Sequence, residues 1–100
     1  MATTSKALFR GAASTSNTTL YTVPSATTAI VTNIVVTNTA SSAATFTLKL
    51  NGTDIATTAA IAANSLATFD IKQVLDATEL IEGSASAVTV NFHISGVEVA

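Results

Sequence analysis

The chain has no cysteine and no tryptophan, and only one proline (Pro24), one tyrosine (Tyr21) and one histidine (His93). Lacking cysteine, it has no disulfides, thiolate metal sites or cysteine nucleophiles. A lone histidine cannot build the usual zinc ligand set. Charge is scarce too. Only 10% of the 100 residues are Asp, Glu, Lys or Arg, against about a quarter in ordinary soluble domains. The four cations, Lys6, Arg10, Lys49 and Lys72, are dispersed, so no nucleic-acid partner is expected. The glycines at 11, 52, 83 and 96 form no phosphate-cradling loop. Long apolar runs are missing as well. No window nears the ~20 apolar residues of a transmembrane helix, and MATTSKALFRGAAS has no continuous apolar stretch of the secretory kind. No membrane partner is expected.

What is present is 48% hydrophobic residues set among Thr, Ser and Asn, in a length that suits one domain with one core. Residues 1–17 are small and polar except for Leu8 and Phe9, and cannot offset their ordering entropy alone. They read as an extended arm, with Leu8, Phe9 and Arg10 as its adhesive patch, ahead of a domain spanning 18–100.

From Leu20 the pattern is that of strands. TLYTVP alternates and stops at Pro24, where Ser25-Ala26 favours a type I turn. AIVTNIVVTN (29–38) is strongly β-branched, with Ile30, Thr32, Ile34 and Val36 on one side and Val31, Asn33, Val35 and Thr37 on the other. Apolar residues on both sides indicate a central strand whose second face is also covered, by a loop or by another subunit; Val31 and Val35 are the interface candidates. TFTLKLNGTDIA (45–56) predicts a hairpin with Phe46, Leu48 and Leu50 inward. Asn51-Gly52 then forms a type I′ turn, Lys49 lies opposite Asp54, and Leu48 opposite Ile55. ATTAAIAANS and LATFDIK continue as strands, QVLDAT (73–78) reads as a helical turn or compact loop, and ELIEG as a short strand. In AVTVNFHISGVEV the residues Val88, Val90, Phe92 and Ile94 share a face until Gly96 interrupts the phase. About seven or eight short strands with regular turns indicate an all-β antiparallel sandwich or jelly roll.

Chemistry is thin. His93 sits mid-strand on a polar face with no evident nucleophile or orienting carboxylate. Asp76, Glu79 and Glu82 match no calcium-loop spacing, and no aromatic platform accompanies the acids as a glycosidase would require. No catalytic residue, cofactor or metal is expected, and the chain reads as a non-enzyme. A glycan-binding module would have only Tyr21 and His93 to offer.

The stretches TTLYTVPSATTAIVTNIVVTNTASSAATFTLKLNGT and VNFHISGVEV resemble small virion proteins of tailed bacteriophages, over about Thr18 to Val99. Members often carry Gly after the proline of the first turn, where this chain has Ser25-Ala26. The resemblance implies a β-sandwich subunit of a phage particle, located in the virion after assembly in the host cytoplasm. As a capsid decoration (cement) protein it would bind over junctions of capsid subunits as a homotrimer, with itself and the major capsid protein or another virion protein as partners. A neck, tail or fibre-associated adaptor is the alternative.

Overall fold

Threonine, valine and isoleucine restrict the backbone to extended conformations, and the turn residues between them set strand length. The computed structural model describes residues 2–100. Among them there is no helix, and nine strands are formed: β1 (Thr3–Ala12), β2 (Thr18–Thr22), β3 (Thr28–Asn38), β4 (Ala44–Leu50), β5 (Thr53–Ile61), β6 (Ser65–Phe69), β7 (Gln73–Leu75), β8 (Leu80–Ala85) and β9 (Val90–Val99). The larger sheet runs β1-β9-β3-β6, with β7 also on β3; the smaller runs β2-β8-β4-β5. Every ladder is antiparallel.

One core lies between the two sheets. Phe46 and Leu48 of β4 and Ile81 of β8 meet Val31, Ile34 and Val36 of β3 and Val90, Phe92 and Ile94 of β9. The Phe46 ring bridges the sheets, 6.2 Å edge-on from Phe92 and 6.0 Å from Phe69. Pairs of this kind add roughly 0.5–1.5 kcal/mol each beyond area burial.

The expected arm is not separate from this body. Residues 3–12 form β1, paired along its length with β9, and Leu8 is 6% exposed within the core. The unpaired edge of β9 is the physical reason: it offers backbone partners that a polar segment lacks alone. Leu8 is the extra residue of a bulge, between the pairs Ala7–Ser95 and Phe9–Ile94, and the bulge turns its side chain inward.

A second bulge corrects the reading of β3. Its register slips between Val31 and Asn33, leaving Thr32 as the extra residue. The inward set is therefore Ala29, Val31, Ile34, Val36 and Asn38, and Val31 is core rather than interface. Strict alternation cannot anticipate this, because one added residue inverts the phase of everything before it.

The hairpin keeps its type I′ signature, with positive φ at Asn51 (50°) and Gly52 (83°), and Lys49 lies opposite Asp54 with 3.8 Å between charges. Leu48, however, faces Ala56, because Ile55 is bulged out. A further irregularity at Thr57-Thr58 is closed by the Thr58 N–H donating to Thr47 Oγ1 at 3.0 Å. These irregularities break the regular edge that β5 would otherwise present to another chain.

Other local expectations also change. Residues 73–75 are a strand and not a helical turn, because Val31, Ile30 and Ala29 offer them a ladder. Val88 is in a loop and exposed. Ala26 takes φ 56°, the left-handed region that a type II turn asks of its third residue, so the type I expectation fails there. β8 continues past Gly83 to Ala85, paired with Phe46. β9 runs unbroken through Gly96, and the bulges lie in its two neighbours instead.

Asn38 is the fully buried polar side chain of the core. Its amide donates to the carbonyls of Ser42 (2.9 Å) and Ala62 (3.3 Å), and its oxygen accepts from the Ala40 N–H (3.1 Å) and the Thr89 hydroxyl (3.2 Å). One side chain thus ties three loops at one end of the molecule. Asn38→Ala should cost about 2 kcal/mol, because it strands buried polar groups. Chemical denaturation measures this, and a loss below about 0.5 kcal/mol, the size of a neutral surface change, would show that the loops hold without it.

Candidate interaction surface

The larger sheet has an outward face whose composition is unusual for one turned to solvent. With the inner set fixed by the core, the pairing registers place Ile30, Val35, Leu66, Val74, Val97 and Val99 outward, interspersed with Thr28, Asn33, Thr37, Thr68, Asn91 and Ser95. Val97, Ile30 and Val74 stand abreast on β9, β3 and β7. Leu66 and Val74 are each 63% exposed. No carboxylate points outward from these strands, whose titratable groups on this face are Arg10 and His93; the exposed Asp70–Lys72 pair lies at the margin, between β6 and β7.

The smaller sheet serves as an internal comparison. Its outward residues are Thr45, Thr47 and Lys49 on β4, Leu80, Glu82 and Ser84 on β8, and Asp54 on β5. Lys49 lies between Asp54 and Glu82, so charge and hydroxyls cover that side. Both sheets come from one Thr-rich composition, yet only one outer face is aliphatic.

Of the residues singled out from sequence, Arg10 and Val35 share this aliphatic face. Arg10, His93, Val35 and Thr68 are consecutive cross-strand neighbours on β1, β9, β3 and β6. Phe9 is partly buried against the core, while Leu8 and Val31 are inside it. Nothing in the sequence singles out the aliphatic residues of β6, β7 and β9. Apolar residues on both sides of 29–38 signal a second covered face, and the Thr32 bulge decides which of them face out.

The closest gathering of titratable groups joins the two sheets. Tyr21 on β2 donates its hydroxyl to Glu98 on β9, and Lys6 on β1 approaches the same carboxylate at 3.3 Å. The tyrosine hydrogen bond, with Lys6 assisting, holds the Glu98 carboxyl below its ordinary value of 4.5. Burial first, and then the neighbouring carboxylate, push the Tyr21 phenol well above its ordinary 10.0. Both shifts lead away from neutrality, which is the wrong direction for proton transfer in that range. The trio is a staple between sheets.

No protein-family model matches the chain, and no curated protein or solved structure matches it.

A cleft of about 310 Å³ opens between β5 and the β6–β7 edge, lined by Leu48, Ile55, Ala56, Phe69, Ile71 and Gln73. Gln73 is its one polar side chain, whereas small-molecule sites combine apolar walls with several convergent polar groups. Among the described residues no three His, Cys, Asp or Glu side chains are close enough to hold a metal ion.

The staple has a pH signature. Glu98 has a depressed folded value, so its contribution is present above the ordinary carboxylate range and lost as pH falls through that depressed value. Tyr21 is raised, so its contribution is complete below pH 10.0 and lost as the phenol ionises above it. Tyr21→Phe should flatten the acid limb of a plot of Tm against pH. Parallel acid limbs in the wild type and the variant would exclude the staple as its source.

Proposed function

We propose that the chain is a non-enzymatic structural subunit of a tailed-phage virion. It acts as a capsid decoration protein that lies over junctions of capsid subunits and stabilises the shell, working as a homo-oligomer in contact with the major capsid protein or another virion protein. The observation that carries this reading is the aliphatic, nearly uncharged outer face of the larger sheet. It sits on a domain whose main titratable gathering is a structural staple. A subunit surrounded by others can leave such a face unprotected by charge, because burying it desolvates few ions. Repeated weak contacts on a shell then add through avidity.

The finer fold in this reading is a jelly roll. With β6 and β7 counted as one interrupted strand, first pairs with last: β1 with β9, β2 with β8, β3 with β6–β7, and β4 with β5. This nesting supports a folded-over ribbon of two Greek keys, an architecture found in viral capsid domains among others. Topology alone does not assign function. The resemblance of the LYTVP, IVTNIVVTN, LKLNG and FHISGVE stretches supplies the virion context.

Quantitative peptide mass spectrometry of purified particles tests the location. Repeated shell sites require on the order of hundreds of copies per particle. About a dozen or fewer, the number expected of a cyclic ring, would move the chain to the neck or tail. Its absence from particles would overturn the reading.

A further inference from the structure

We propose that the outer face of the larger sheet is the contact surface between two copies of this chain, pairing face to face around a twofold axis. The inference goes beyond the location proposed above and stands whether or not the chain belongs to a virion.

Area comes first. β9 and β3 span 10 and 11 residues, and at about 3.3 Å per residue they are about 33 Å long. The sheet is four strands wide, which at about 4.8 Å per strand gives about 19 Å. The flat face is therefore about 600 Å² per copy, or about 1,200 Å² for a pair. That reaches the lower bound of specific interfaces before side-chain relief is counted.

Charge and arrangement point to the same occupant. A surface meeting its own copy brings like charges together, so self-pairing favours a face with few of them. This one has no carboxylate on its strands; Arg10 lies on the edge strand β1, and the exposed Asp70–Lys72 pair sits at the opposite edge, between β6 and β7. Ile30 and Val97 stand side by side on β3 and β9, the two central strands; Asn33 and Ser95 come next, then Val35 beside His93, with Thr37 and Asn91 at the far end. Aliphatic residues alternating with short polar ones on the central strands leave few ions to desolvate when the face is buried. A partner of another kind, chosen by charge, would need a patterned surface, and the smaller sheet's Lys49–Glu82–Asp54 group fits that role better. Stacked faces of twisted sheets align at about 30° with about 10 Å between them, a geometry that a smooth aliphatic face allows.

Contact of one patch with itself is isologous and closes at two copies. The trimer implied by the resemblance would instead need two different complementary patches. Light scattering on the full-length chain should give twice the 10.1 kDa chain mass at micromolar concentration. Val35→Lys should weaken pairing by about a hundredfold or more, since it buries a charge without a partner. Thr37→Lys with Thr68→Lys should do the same while removing no apolar contact, which separates loss of pairing from loss of folding. Thr47→Lys, on the other sheet, should pair normally. A monomer or trimer for the wild type, or an unchanged dimer for the Thr37→Lys, Thr68→Lys variant, would overturn the proposal.

Discussion

Gly96→Ala should destabilise the protein by about 4 kcal/mol, the upper range for single substitutions. Elsewhere in a strand the same change is stabilising by roughly 0.5–1 kcal/mol, because glycine gives up more conformational freedom on folding. The sign reverses here because a Cβ at Gly96 would lie 2.3 Å from the Ile30 carbonyl oxygen and 2.8 Å from a Leu8 methyl. The first neighbour is backbone of an adjacent strand and cannot rotate away. Both β1 and β3 carry bulges opposite this point of β9, and they crowd the same inward position. Gly83→Ala is a useful contrast. Its added Cβ would meet only side chains, of Leu20, Leu48 and Phe92, each at 3.1 Å. Urea unfolding of the two variants should show the larger loss at Gly96. Equal or smaller loss there would mean that the convergent bulges do not constrain β9.

Leu8→Ala should cost about 3 kcal/mol, within the range for emptying a leucine site in a core. For a domain of this size that lowers Tm by roughly 12–24 °C. Arg10→Ala, two residues on and exposed, should change stability by less than about 0.5 kcal/mol. The pair separates an edge strand from an adhesive arm: in an arm, both substitutions would weaken partner binding and neither would affect folding. A Leu8→Ala Tm within a degree or two of wild type would restore the arm.

The sequence shows plainly the features that depend on near neighbours. The Asn51-Gly52 turn, the Lys49–Asp54 pairing and the inward Phe46 and Leu48 follow from period-two alternation and one turn type. So does the all-β class. Features that depend on distant chain segments are not legible in this way. Residues 3–12 look unable to order because their partner, β9, lies at the far end of the chain. Val31 and Val35 look equivalent until the Thr32 bulge buries one and turns the other, part-buried, to the outer face. The aliphatic face draws on β3, β6, β7 and β9, and no window of sequence contains more than a part of it. The Tyr21–Glu98–Lys6 staple is non-local for the same reason: its members come from β2, β9 and β1.

These features describe a domain held together internally by its core and two polar ties, with one broad aliphatic outer face. The central proposal is that the chain associates with a phage capsid shell and stabilises it. Adding the purified chain to capsids assembled without it, and heating them while monitoring genome release, tests that claim most directly. The account predicts saturable binding at repeated sites and release shifted to higher temperature. Capsids that bind none of the chain, or that open at the same temperature with it bound, would contradict it.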